Sequence, residues 1–249
     1  MERIKPAKQV YSNYTEEDFS VWKILFNRQM ENLNKHASVD YLEAVKIIGF
    51  NEKEIPEFEN INRKLKHLTG WKIITVQGIC PPVEFFRLLS EKTFTCTCWL
   101  RTMQELDYLE EPDMFHDVFG HIPLLTNAAY CQFFQALGAL GVKYIHEQEV
   151  IDMLERLYWF TIEFGLIKET GQLKIYGSGI ISSVGETLHA IGNKSRKYDF
   201  DVERIMDHGF RTDVIQDEYF VIESLQQLVE ALPVAEKKIL EFLDQEKVA

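Results

Sequence analysis

Two histidines five residues apart, in Glu111-Pro112-Asp113-Met114-Phe115-His116-Asp117-Val118-Phe119-Gly120-His121-Ile122-Pro123, place the tightest constraint on how this chain can fold. The whole chain holds only 7 histidines, and carboxylates stand beside this pair at 111, 113 and 117. Helical metal sites of the zinc-protease kind space their histidines four apart, so that both imidazoles share one face. At a spacing of five, an uninterrupted α-helix turns the second ring about 140° away from the first. Gly120 is expected to stop the helix, because glycine accepts the left-handed conformation that ends helices. The chain could then swing His121 back toward His116. The pair reads either as two structural histidines or as part of a metal site, imidazole being the commonest metal ligand. A metal would need a third ligand, and 39 acidic side chains compete for that place.

The 249 residues show no linker, repeat or low-complexity stretch, so a single domain over 1–249 is expected. Met1-Glu2-Arg3-Ile4-Lys5-Pro6 lacks the apolar core of a signal peptide, and no run reaches the roughly 18 apolar residues of a membrane span. A soluble cytoplasmic protein follows as the expectation. Cysteines 80, 96, 98 and 131 lack the paired spacing of common zinc or redox motifs and read as reduced, mostly buried thiols. With a formal charge of −12 and no basic patch, nucleic acid is not an expected partner.

Thr15-Glu16-Glu17-Asp18 has the form of a helix start, and Phe19, Trp22, Phe26, Met30 and Leu33 follow at helical spacing. Ser38 and Asp40 open a second helix to Gly49, and Ile55-Pro56 leads into a third that ends near Gly70. Residues 71–76 and 93–100 read as short strands, and Pro81-Pro82 between them begins a helix carrying Phe85 and Phe86. Helices are expected over about 128–143 and 147–168, then a glycine- and serine-rich turn at 175–183 leading into a helix through Glu186. A helix around Arg204, a strand at 219–222 and two terminal helices complete a fold that is mostly α with a few short β-strands.

Glu163 is the anomaly of the 147–168 helix. Its helical neighbours are Trp159, Phe160, Leu166 and Ile167, so its carboxylate would be buried. That costs several kcal/mol unless the acid is paired or binds metal. Glu163 is therefore the leading third ligand, ahead of Glu111, Asp113, Asp117 and Glu186. A buried arginine, Arg156 or Arg101, is the competing partner.

In order along the chain, Thr69-Gly70-Trp71, residues 106–113, His116 to Leu125, Tyr158 to Leu166 and Tyr176-Gly177-Ser178-Gly179 with Ser182-Ser183 resemble the tetrahydropterin-dependent aromatic amino acid hydroxylases. The likeness runs from about 14 to 232 and is closest to the short bacterial phenylalanine 4-hydroxylases. It implies a single-domain helical basket and an Fe(II) held by His116, His121 and Glu163. Such a facial triad leaves open positions on the metal. By the same resemblance Arg101 would take the substrate carboxylate, through planar bidentate donors. Trp159 and Phe164 would shape the ring pocket, with Pro112, Gly179, Ser182 and Val221 around it. Ser182 would also support the histidines. Phe85 would stack on the pterin, tetrahydrobiopterin or a relative, with Gly78, Ile79, Cys80, Tyr158 and Asp117 on that side. The implied reaction turns phenylalanine into tyrosine with O2. Trp159 and the apolar Val221 favour phenylalanine over tryptophan or tyrosine. The regulatory domain and C-terminal coiled coil of the animal enzymes have no counterpart here, so an unregulated monomer is expected, with small molecules as its only partners. Leu109-Glu110 stands where the animal enzymes carry threonine-proline.

Two rivals remain from the residues alone. A zinc-dependent hydrolase would use the same histidines with Asp117 or Glu111 as base, although their spacing is wrong for it. A catalytically silent helical protein would keep the histidines as structural groups.

Overall fold

Thr15 and Asp18 close a reciprocal capping box, and from it α1 runs Glu16–His36 in the computed structural model of the protein, which describes residues 5–107 and 109–246. Met1–Ile4 of the N-terminal reading and Tyr108 of the 106–113 motif lie outside the described residues. The Ser38 side chain caps α2 (Val39–Ile48), which ends at Gly49 with φ 82°, and α3 spans Phe58–Leu68. These caps are local, which is why the sequence announces them.

Strand β1 (Lys72–Thr75) pairs in parallel with β2 (Thr93–Cys96), and α4 (Pro82–Ser90) is the crossover such a pair requires. β2 stops well short of residue 100, because the Thr97 N–H leaves the ladder and donates to Asp117 Oδ2 at 2.7 Å. α5 (Ala128–Lys143) packs on α4, and α6 (Gln148–Tyr158) follows.

The helix expected over 147–168 does not exist as one element. α6 passes into a π-helical turn, Trp159–Glu163, and Phe164 (φ −123°, ψ 29°) leaves the helix. Residues 166–169 are β3 (Leu166–Glu169), joined to β4 (Gln172–Ile175) by a two-residue loop with positive φ at Thr170 (49°) and Gly171 (79°). That is the signature of a tight hairpin turn. A short apolar run such as Phe164–Ile167 fits a buried strand as well as a helix. Pairing decides it, since Leu166 and Ile167 sit in parallel register with Val221 and Ile222.

The short α7 (Ser178–Ile181) lies within the expected glycine- and serine-rich turn, and α8 (Val184–Ile191) is the helix expected through Glu186. β5 (Arg196–Asp199), α9 (Val202–Asp207) and β6 (Glu218–Ile222) complete a four-stranded sheet of order β4-β3-β6-β5. In place of two terminal helices there is one, α10 (Leu225–Glu246), running through Pro233. Proline removes a hydrogen bond there. Pro233 faces solvent, while Leu228, Ala231, Ala235 and Ile239 are buried on the other side and hold the helix across it.

A single apolar cluster joins these elements. Its aromatic layer, Trp22, Phe26 and Tyr41 against Phe115 and Phe119, presses α1 and α2 onto the histidine stretch with ring centroids 5.5–6.0 Å apart. Burying each such ring contributes roughly 1.5–3 kcal/mol. Tyr41 adds a hydrogen bond from its hydroxyl to the Phe119 carbonyl at 2.8 Å. Tyr41→Phe is expected to lower stability by about 1–2 kcal/mol in urea unfolding, because it orphans a buried carbonyl without opening a cavity.

Candidate metal centre

His116 and His121 lie on a second π-helical turn, Phe115–His121, which precedes the other in the chain. The helix does not stop at Gly120, contrary to the expectation. The wider i→i+5 winding of a π-helix brings residues five apart onto one side, and the two imidazole centroids stand 5.2 Å apart. Gly120 serves a different purpose. A Cβ there would stand 3.0 Å from the Ser178 carbonyl oxygen, so glycine lets α7 close over the turn. The opposite side of the same turn carries Phe115 and Phe119, stacked at 4.7 Å and fully buried.

Glu163 ends the π-helical turn after α6 and meets both histidines. His121 Nε2 is 3.1 Å from Glu163 Oε1, and His116 Nε2 is 3.7 Å from Oε2. The Tyr158 hydroxyl donates to Oε1 at 2.9 Å, and the Ser178 hydroxyl to Oε2 at 2.9 Å. Burial pushes the Glu163 carboxyl up, but His121, His116 and Ser178 outweigh it and hold the group well below the usual carboxylate range. Its backbone is equally constrained, since a Cβ at Gly177 would lie 2.5 Å from the Glu163 carbonyl oxygen.

One ligand atom from each of His116, His121 and Glu163 lies within 4.8 Å of the others. The donor set suits a divalent metal: two imidazole Nε2 atoms and a carboxylate face one another across a gap that such an ion would fill. His116 Nδ1 is 2.8 Å from Ser182 Oγ. If that nitrogen carries the proton, Nε2 is left as the free electron pair a metal needs. Glu163 and His121 are buried while the His116 side chain keeps 21 % exposure, so the cluster opens to one side. A four-ligand structural zinc site has no such opening.

The other acids considered as ligands are committed elsewhere. Glu111 pairs with Lys5. Glu186 accepts from the Tyr219 hydroxyl at 2.7 Å and the Gln216 N–H at 3.1 Å. Asp117 Oδ2 takes both the N–H and the hydroxyl of Thr97, and burial, set against His116 and Thr97, pushes its carboxyl up to about 6. Arg156, the alternative partner for Glu163, donates to the Met206 carbonyl instead.

Asp113, fully buried, forms a two-pronged pair with Arg101, Nε to Oδ2 and Nη2 to Oδ1, each 2.9 Å. Burial alone would raise the Asp113 carboxyl, and Arg101 more than compensates, holding it below its ordinary value. Asp113 Oδ1 also accepts the His116 N–H at 3.1 Å. The inner fork of Arg101 is thus occupied, and the edge left for an anion is the outer one, where Nη1 has only a 3.5 Å contact to the Leu106 carbonyl.

Phe85 stands edge-on to Tyr158 at 5.4 Å, and Tyr158 lies over His121 at 6.5 Å, so the residue expected to meet a pterin is one ring away from the histidines. Gly78 and Cys80 are partly buried on the loop before α4, and Ile79 is exposed. Trp159 packs on Phe164 at 4.6 Å, and a Cβ on Gly179 would touch Phe164. Pro112 is partly buried next to Asp113, and Val221 sits on β6 opposite Leu166. Ser178 as the second partner of Glu163, and Phe210 and Gln216 against Trp159, are not singled out by the sequence. Only the Gly-Ser-Gly run around Ser178 offers a signal. A cleft of about 900 Å³ between α2 and α3 shares no residue with the metal cluster.

The biopterin-dependent aromatic amino acid hydroxylase family matches residues 5–242. A phenylalanine-4-hydroxylase of Ralstonia nicotianae is 41% identical over 225 residues, 90% of this chain and 72% of that protein. One from Chromobacterium violaceum is 41% identical over 224 residues, 90% of this chain and 75% of that protein. The crystal structure of the Chromobacterium violaceum phenylalanine hydroxylase with iron(III) and 7,8-dihydrobiopterin superposes with a TM-score of 0.89 at 38% identity, covering 96% of this chain and 86% of that one.

Ser182→Ala should weaken iron or cobalt binding by about 10–100-fold in equilibrium dialysis, the loss typical when a ligand histidine loses its outer partner. Unchanged metal affinity would show that Ser182 does not orient His116.

Proposed function

Because the chain belongs to the biopterin-dependent aromatic amino acid hydroxylase family, we propose that it hydroxylates L-phenylalanine to L-tyrosine with O2 and a tetrahydropterin at an Fe(II) held by His116, His121 and Glu163. The observation that carries the proposal is the convergence of two imidazole Nε2 atoms and one buried carboxylate on a side open to solvent. Bound iron and tetrahydropterin supply the activation of O2 and the transfer of one oxygen atom to the ring.

The chain's own groups bind, orient and exclude water. Arg101 offers its outer edge to the amino acid carboxylate while Asp113 fixes the inner one. Trp159 and Phe164 flank the ring, and Phe85 stacks on the pterin, with Gly78, Ile79 and Cys80 lining that side. Tyr158 ties the two sides together, since its hydroxyl donates to Glu163 while its ring meets Phe85. Asp117 is held by Thr97, so any contact it makes with pterin uses its remaining oxygen. That commitment also argues against the hydrolase, because neither Asp117 nor the Lys5-paired Glu111 stands as a free general base. Val221, apolar on β6, favours phenylalanine over a hydroxylated ring.

The protein is read as one catalytic domain acting as a cytoplasmic monomer. Its four cysteines are all free, as a reducing compartment would keep them, and no helix among the described residues is long and apolar enough to cross a membrane.

Tyrosine formation from phenylalanine, followed by chromatography with Fe(II), tetrahydropterin and O2 each omitted in turn, tests the reading. Product should require all three. No product from phenylalanine, tyrosine or tryptophan in iron-loaded protein would overturn it. Arg101→Lys, which keeps a charge for Asp113 but loses the fork, should raise the phenylalanine KM by about tenfold or more and leave the pterin KM unchanged. Phe85→Ala should do the reverse.

A further inference from the structure

We infer that Gln216 fixes the plane of the Trp159 indole, and is thereby a specificity-determining positioning residue for the substrate ring; this rests on the reading of Trp159 as a wall of the ring pocket. Trp159 begins the π-helical turn that ends at Glu163 and is only partly buried. Its indole lies between two rings, Phe164 and Phe210, each with its centroid 4.6 Å away. Phe210 is nearly coplanar with it at 20°. The Phe210 ring stacks on one face and the Phe164 ring leans on the indole at 38°, contacts that resist rotation of the indole within its own plane only weakly. The indole N–H is the one polar handle that can fix the rotation, and it donates to Gln216 Oε1 at 3.1 Å.

Gln216 is itself immobilised. It is 6% exposed, although it sits in a loop whose neighbours Val214 and Ile215 are exposed. Its Nε2 donates to the carbonyls of Arg211 at 2.7 Å and Val214 at 2.9 Å, and its backbone N–H donates to Glu186 Oε1 at 3.1 Å. The second Glu186 oxygen takes the Tyr219 hydroxyl at 2.7 Å. An unbroken chain of hydrogen bonds therefore runs from Tyr219 on β6, through Glu186 on α8 and Gln216, to the indole. A side chain that only closed the loop would have no reason to present its carbonyl to Trp159. The indole edge decides how wide a ring fits beside Phe164, so an indole free to rotate would accept a bicyclic ring more readily.

The test compares Gln216→Leu in the native sequence and in a Trp159→Phe background, which keeps a ring but removes the N–H donor. Gln216→Met serves as the second variant should the leucine protein fail to fold. In the native background, loss of the hydrogen bond should lower the ratio of kcat/KM for phenylalanine over tryptophan about tenfold. It should also shift the Trp159 emission, obtained as the difference from Trp159→Phe. In the Trp159→Phe background the same substitution should leave the ratio nearly unchanged. A native-like ratio and emission in Gln216→Leu would overturn the inference. So would an equal fall in both backgrounds, which would make Gln216 a loop staple only. Wild-type protein that makes no tyrosine overturns the functional reading and the specificity role with it, whereas turnover with an unchanged ratio overturns this inference alone.

Discussion

An ionised carboxylate in the interior is the constraint around which this structure is arranged. Glu163 would be untenable among Phe160, Ile162 and Phe164 without partners for both of its oxygens. The chain provides two imidazoles from one π-helical turn, a phenol from the end of α6 and a serine hydroxyl from α7. Two π-helical turns place the ligands. Glycines at 120 and 177 allow the backbone beside Ser178 to lie flush against both. Each π-turn gives up regular helical hydrogen bonding, and the aromatic layer from α1 and α2 offsets that loss for the histidine turn.

The site has two halves, and single side chains join them. Tyr158 touches Phe85 with its ring and Glu163 with its hydroxyl, so the Phe85 face and the histidine–glutamate cluster share one residue. On the other side Trp159 stacks on Phe210 and leans on Phe164, and its indole N–H donates to Gln216 in the loop before β6. These positions come from segments more than a hundred residues apart, and the common apolar cluster fixes their spacing.

How much of this is legible in the sequence depends on how local its cause is. The capping box at Thr15, the Ser38 cap and the Gly49 terminus are written within a few residues, and the helices they bound are recovered. Leu166 to Lys168 reads as helix because apolar periodicity continues through it; its strand character comes from the Thr170-Gly171 hairpin to β4 and from Val221 and Ile222 far along the chain. The five-residue histidine spacing is itself the mark of a π-turn, yet periodicity tuned to α-helices turns it into a helix end at Gly120. Burial of Glu163 is readable from its apolar neighbours even though the helix drawn through them ends at Glu163 itself. Gln216 has no such signature, since a glutamine in a polar loop gives no hint that an indole will find it.

The pairing of Asp113 has one more consequence. Its carboxylate grips the inner edge of the Arg101 guanidinium and also caps the backbone amide of His116. An anion on the outer edge would draw on the same positive charge that holds the inner edge. Asp113 is the single side chain between that guanidinium and the amide of His116, with no lid or hinge between. Arg101 and Asp113 thus set one buried charge pair directly behind the place where the histidine turn begins, so the turn's first amide and the guanidinium are anchored by the same carboxylate.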